Sequence, residues 1–186
     1  IDIVAGVENI DMNTLCVPNL KTPELTDYMI EVAKDRGDTV AIIDLDGDYE
    51  HAFETNDGMA VPATDVGTLT NDLLLRSIDN SYGAAYFPAV FVPSAGIFMP
   101  ASIAALGAFG GTDGRSALWF APAGFNRGGL TENNSGITVS RTARHLSSTD
   151  RDTLYAANIN PIATFPNEGV VIFGQKTLQA YPSALD

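Results

Sequence analysis

The residues best suited to chemistry lie in one short stretch, residues 41–48, which reads AIIDLDGD. An apolar run ends at Asp44, and Asp46 and Asp48 follow at alternate positions. Carboxylates at a strand end can act as a nucleophile and as an acid/base, with a divalent cation neutralising the charge. The same stretch is a poor calcium loop. Asp44, Asp46 and Asp48 begin one correctly, but Tyr49 stands where the sharp turn needs Gly and Thr55 where Glu is needed. His51 lies near the aspartates and reads as an exposed loop histidine. His145 is far away in sequence, and the two lack ligand spacing. Ser94, in Pro93-Ser94-Ala95-Gly96, lacks the first glycine of a nucleophile elbow. There is no Walker A loop, no G-x-S-x-G and no G-x-G-x-x-G. The single cysteine, Cys16, sits in the apolar run Thr14-Leu15-Cys16-Val17 and reads as a small buried hydrophobe. One cysteine excludes a disulfide framework.

The elements that must position these residues follow from spacing. Residues 15–17 form a short apolar run. Thr22 is placed to cap a helix with Pro23 at its first position. Leu25, Tyr28, Met29, Val32 and Ala33 then recur at helical spacing, and Gly37 supplies the stop. Glu24 near the start and Lys34 and Arg36 near the end suit the helix dipole. Residues 39–45, TVAIIDL, read as a strand buried on both faces. Strand, helix and strand within about thirty residues is the spacing of a βαβ unit. Residues 51–63 read as a loop, and Leu69, Leu73, Leu74 and Ile78 predict a second helix. Residues 84–92, AAYFPAVFV, predict a strand bent or ended by Pro88. Residues 100–108 predict a short Ala-rich helix, with Gly110, Gly111 and Gly114 breaking the chain. Residues 123–140 form a Gly/Asn-rich loop with a short strand expected near 137–139. Ser147 and Asp150 fit a capping box ahead of a last helix. That helix is expected to stop at Asn158-Ile159-Asn160-Pro161, before a Pro166-Asn167-Glu168-Gly169 turn and a strand over residues 170–173. Strands alternating with helices predict an α/β layered domain, with α+β as the alternative. Trp119 and Phe173, in apolar segments flanked by turn residues, are expected in its core.

Composition narrows the function. The chain has 186 residues, 45% of them hydrophobic, enough for one domain with a real core. The formal net charge of −13 repels phosphate backbones and anionic lipid heads, which argues against nucleic-acid and membrane-surface partners. No apolar run approaches the roughly 18 residues that span a bilayer. No secretory signal pattern opens the chain, and a start at Ile1 suggests an internal piece of a longer protein.

Two local resemblances touch function. A strand followed by D-x-D-G resembles the nucleophile motif of haloacid-dehalogenase-type phosphatases. That resemblance implies that Asp44 attacks phosphorus and Asp46 acts as acid/base, with Mg²⁺ neutralising the charge. The family also needs a downstream Ser/Thr, a Lys and an acidic pair on later strand ends, and no good acidic pair follows a later strand. The simpler reading is a solvated acidic turn after a buried strand. Arg36-Gly37-Asp38 matches an adhesion tripeptide, which would make the chain a virion adhesion module displaying it beside the Gly/Asn-rich loop. A helix C-terminus with its stop glycine explains the same three residues. Asn133-Asn134-Ser135 matches a glycosylation sequon, relevant to a secreted eukaryotic protein.

A more extended resemblance runs in order from residue 80 to residue 178. NSYGAAYFPAVFVPSAG, residues 80–96, resembles the "SSYAA-YYP…VPPSG" segment of contractile tail sheath proteins, with Tyr82, Ala84, Ala85, Tyr86, Pro88, Pro93, Ser94 and Gly96 matching. Ala89 stands where that family often has Trp. Thr112 and Asp113 keep the end of its next helix. RSALWFAPAG, residues 115–124, resembles "RGVWKAPAN" through Trp119, Ala121, Pro122 and Ala123. In YAANINPIATFPNEGVVIFGQKTL, residues 155–178, the matches are Asn160, Pro161, Ile162, Phe165, Pro166, Gly169, Gly174, Thr177 and Leu178, with Lys176 at a basic position. Ala163 departs, since Arg is common there. Most matched residues are turn formers or apolar and aromatic groups.

The resemblance implies a single sheath core domain fragment over residues 1–186, with further sequence on both sides. It implies a structural subunit, not an enzyme, without catalytic, cofactor or metal sites. Its partners would be copies of itself in stacked hexameric rings forming a helical sheath, the tail tube protein, and baseplate and tail terminator proteins. Its place would be the virion tail, after assembly in the bacterial host cytoplasm, with contraction driving the tube through the host envelope. Family members extend terminal strands into neighbouring subunits' sheets. The chain by itself is therefore expected to fold without forming tubes.

Overall fold

The computed structural model describes residues 1–8, 10–117, 119–132 and 135–181. From β1 (Thr14–Cys16) the chain passes through α1 (Pro23–Arg36) to β2 (Val40–Ile43), then through α2 (Val66–Leu75) to β3 (Gly83–Phe87). β4 (Val90–Val92), β5 (Ile97–Met99), α3 (Ala101–Asp113), α4 (Gly124–Arg127) and β6 (Arg141–Thr142) form an excursion. α5 (Ser148–Ala156) then returns the chain to β7 (Ile159–Phe165) and β8 (Gly169–Ile172). The main sheet has the order β1-β2-β3-β7-β8, parallel up to β7, with β8 antiparallel. β5, β4 and β6 make a second, antiparallel sheet.

Strand order explains the layers. The parallel strands are added in one direction, so right-handed crossovers place every connecting helix on the same face. Side chains alternate across the sheet. Ala41, Ile43, Ala85, Phe87 and Ile159 accordingly pack with buried residues of α1, α2 and α5. Ile42, Ala84, Tyr86 and Ile162 point the other way, onto α3 and the small sheet. α3 can lie flat there because Ala101, Ala104, Ala105 and Ala108 form its contact face. A sheet wound in one direction has no point where strand order reverses, and so lacks the crevice in which open α/β sheets usually hold ligands.

Local chemistry sets the ends. Gly37 closes α1 with φ of 73° and an N–H bond to the Ala33 carbonyl, a conformation that favours glycine. Ser147 and Asp150 form both halves of the capping box on α5. Thr22 stands at the N-cap of α1 but makes no side-chain capping bond.

Four sequence-based boundaries shift. Residues 84–92 are two strands in two sheets, divided at a cis Phe87–Pro88 bond, because β3 continues the main sheet while β4 opens the small one. α3 runs through Gly110 and Gly111 to Asp113, since packing of its alanine face outweighs two glycines in the last turn. No strand forms at 137–139. Val139 bonds to the Leu130 carbonyl instead, and the strand nearby is β6. The helix stop is Asn158 alone, at φ of 61°, while Ile159, Asn160 and Pro161 already belong to β7. Pro161 is tolerated there because it pairs with Phe87, the last residue of β3.

Candidate functional site

Asp44 follows β2 at its C-terminal end, where a nucleophile would be expected, yet it is only 1% exposed. Its Oδ2 accepts the Asn19 N–H at 2.7 Å and the Ser102 hydroxyl at 2.7 Å, and its Oδ1 accepts the Ser102 N–H at 3.1 Å. Ser102 is the second residue of α3, whose N-cap is Pro100 and offers no side-chain capping bond. Asp44 therefore caps α3 from across the fold, satisfying an orphan N–H and placing negative charge at the helix's positive end. Burial pushes its carboxyl above the usual range, opposed by the Ser102 and Asn19 hydrogen bonds.

Asp48 is buried beside it. One oxygen, Oδ1, accepts both the Tyr49 N–H at 2.8 Å and the Ala89 N–H at 2.9 Å, fixing the turn after β2 to the start of β4. Burial pushes this carboxyl from 3.8 up to about 7. Asp46 points to solvent and accepts the N–H of its own neighbour Gly47 at 3.0 Å. The expectation of a solvated acidic turn thus holds for Asp46 alone. Asp44 and Asp48 are interior because α3 and β4 need their acceptors. Asp44 and Asp46, the proposed nucleophile and acid/base, do not share an open cleft. Lys21, whose charge acts on both buried carboxyls, pairs with Glu50 at 3.2 Å. Among the described residues no group of three His, Cys, Asp or Glu side chains is arranged to hold a metal ion.

The other sequence candidates are also structural. Arg36 is 7% exposed and donates to the carbonyls of Val4, Gly6 and Ile10 as well as to Asp38, so the tripeptide clamps the N-terminal segment and does not display its arginine. Asn133 and Asn134 of the sequon lie outside the described residues. His51 is half-buried and stacks on Phe53, with ring centroids 5.0 Å apart. The Cys16 thiol is pushed up to about 11 by burial, which suppresses the reactive thiolate. No helix of the described residues is long and apolar enough to cross a membrane.

The motif residues near the C-terminus have clear physical roles. Asn160 is fully buried. Its amide donates to the Ala85 carbonyl at 3.1 Å and the Lys176 carbonyl at 2.8 Å, and its Oδ1 accepts the Lys176 N–H at 2.7 Å. It joins β3, β7 and the segment after β8. Gly174 is required by that approach, since a Cβ there would lie 2.7 Å from Asn160 Oδ1 and 2.9 Å from its Cα. Lys176 donates to the Tyr155 carbonyl at 2.8 Å, in the last turn of α5, where the Asn158 N–H also donates at 3.2 Å, and sits over the Tyr155 ring at 4.0 Å.

Two core expectations fail. Trp119 is 84% exposed and Phe173 is 42% exposed. β8 is joined to β7 by a hairpin, so no crossover helix accompanies it. Phe125, Phe165 and Phe173 cluster there with centroids 5.0–5.6 Å apart, and Arg151 of α5 lies over Phe165. At the end of α4, Arg127 lies 4.4 Å from the centroid of Phe120, beside Trp119. Apolar pattern alone could not separate this surface from the core, because both use aromatic residues between turns.

Comparison with known proteins follows the same lines. The phage tail sheath protein central domain family matches residues 1–178. A tail sheath protein of Vibrio phage KVP40 is 41% identical over 96 residues, covering 52% of this chain and 12% of that protein. The tail sheath protein of Enterobacteria phage T4 is 36% identical over 75 residues, covering 40% of this chain and 10% of that protein. A chain in the six-fold symmetrised cryo-EM structure of the anti-feeding prophage baseplate superposes with a TM-score of 0.62 at 20% identity. It covers 94% of this chain and 40% of that one, and shows the fold alone. The matched stretches thus span a small part of the curated relatives.

Proposed function

Since this chain belongs to the phage tail sheath protein central domain family, we propose that it is part of a structural subunit that polymerises around a tail tube and contracts to drive it through a host envelope. The observation that carries this reading is the match over residues 1–178, spanning β1, β2, β3, β7 and β8 of the main sheet and α1 to α5. The geometry supports it: the buried polar side chains at the strongest catalytic candidate are engaged in holding elements together. Its partners on this reading are further copies in stacked hexameric rings, the tube protein, and the baseplate and terminator at the two ends of the sheath. The net charge of −13 disfavours nucleic acid as a partner. The site of action is the virion tail, after assembly in the host cytoplasm.

Contraction needs subunits that repack between two arrangements while each keeps its own fold. A core stitched by Asp44, Asp48 and Asn160 suits a unit that moves as a rigid body. Negative-stain microscopy of the longer gene product containing this chain tests the reading. Regular tubes or stacked rings are expected, and a protein that stays monomeric under all assembly conditions would overturn it.

A further inference from the structure

Charge is divided unevenly along the chain. Residues 1–79 contain 17 of the 23 acidic residues and four of the ten basic ones, a balance of −13. Residues 80–186 contain six of each and are neutral. Strand order turns this asymmetry into polarity in space. The acidic part builds β1, β2, α1 and α2, and the neutral part builds β7 and β8. The two ends of the sheet are four strand spacings apart, about 19 Å. They are too far apart for ordinary side chains to join them within one copy.

The cations also behave differently at the two ends. In the acidic part Lys21, Arg36 and Arg76 pair with carboxylates. Toward β8, Arg127 and Arg151 lie over the rings of Phe120 and Phe165, and among the described residues neither has a carboxylate within ion-pair distance. Phe125 and Phe173 lie beside them, 49% and 42% exposed. Arg127 spends its Nε–H on the Ala121 carbonyl and Arg151 one N–H on the Leu146 carbonyl; the remaining N–H donors of each guanidinium can meet an incoming carboxylate, while the rings offer rigid apolar area. This is the composition of an interface centre.

A complementary surface lies at the other end. Beside the open edge of β1 is a groove of about 640 Å³ between β1 and α3. Val40, Leu106 and Phe109 give it an apolar lining, and Asp11 and Asp113, both exposed, supply carboxylates. We propose that the cation–aromatic face at the β8 end of one copy docks into this acidic groove at the β1 end of the next. The contact is heterologous, and repetition of a heterologous contact builds rings or helices and not closed two-fold dimers. The assignment rests on the sheath-subunit reading and adds to it the two surfaces that meet.

The test uses two charge-reversed variants of the 186-residue chain. Arg127→Glu with Arg151→Glu disables the cation–aromatic face, and Asp11→Lys with Asp113→Lys disables the groove. Circular dichroism checks that both fold, and Phe173→Ser serves as a second, uncharged lesion of the first face. Sedimentation velocity at high protein concentration is the readout. The unchanged chain is expected to associate reversibly into short oligomers, without forming tubes, and each variant alone to remain monomeric. An equimolar mixture of the two charge variants is expected to associate again, because one contact is intact and the reversed charges attract each other at the other. Phe173→Ser is expected to weaken association about tenfold or more. If both variants associate as the unchanged chain does, other surfaces hold copies together; the docking proposal falls while the sheath reading stands. If the unchanged chain and the mixture are both monomeric, the contact does not form and the proposal falls, leaving the tube-forming test of the longer protein to judge the sheath reading separately.

Discussion

Asp48→Asn gives the most direct test of how this fold uses its buried carboxylates. Both hydrogen bonds to Asp48, from Tyr49 N–H and Ala89 N–H, go to Oδ1. An asparagine can keep both through its own Oδ1, so the substitution removes charge while preserving the acceptor. In the folded chain burial pushes the carboxyl from 3.8 to about 7, with the backbone bonds and Lys21 opposing and Asp44 reinforcing the rise. The folded value exceeds the unfolded one, so between them the folded chain holds a proton that the unfolded chain has lost. The associated stability is fully present below pH 3.8 and is lost as the pH rises through about 7. A rise of that size corresponds to ~4 kcal/mol, a large part of the 5–15 kcal/mol typical of a domain. The asparagine variant has no such loss. Urea unfolding at pH 5 and pH 8 is the assay, because the difference between the two proteins cancels the titrating groups that do not interact with Asp48. The variant is expected to gain on the unchanged chain by about 2–3 kcal/mol on going from pH 5 to pH 8, the span from pH 5 to the folded value near 7. An equal gap at both pH values would refute the reasoning and show that Asp48 is ionised in the folded chain throughout.

The remaining expectations are simpler. Asn160→Ala leaves the Ala85 carbonyl and both Lys176 backbone groups without their partner and should cost about 3 kcal/mol in denaturant unfolding; a loss below about 1 kcal/mol would mean that water replaces the amide. Trp119→Ala should change stability by no more than about 0.5 kcal/mol in the same assay, because the indole is 84% exposed; a loss near 3 kcal/mol would return the ring to the core. Phosphate-ester hydrolysis with Mg²⁺ should not rise above the buffer rate, since three donors already engage the Asp44 carboxylate; a Mg²⁺-dependent activity abolished by Asp44→Asn would overturn the structural role given to that residue.

Much of the fold was legible in the sequence because its signals are local. Pro23 and Gly37 bracket α1, Ser147 and Asp150 cap α5, and the near-continuous apolar run over residues 39–45 marks a strand covered on both faces. Each depends on neighbours a few residues away. The ordered motifs from Tyr82 to Leu178 carried the family assignment for the same reason: turn formers and close-packing positions such as Gly174 leave a fixed spacing in the chain. What the sequence could not decide was which partner each polar or aromatic group meets. Asp44 and Ser102 are 58 residues apart, and nothing local distinguishes a helix cap supplied across the fold from a catalytic carboxylate. Asn160 looked like part of a helix stop until β3 and the segment after β8 supplied its partners. Trp119 and Phe173 carry the hydrophobicity of core residues, but burial depends on whether another element arrives to cover them. β8 joins the sheet by a hairpin and brings no helix, so that decision belongs to topology and not to side-chain type.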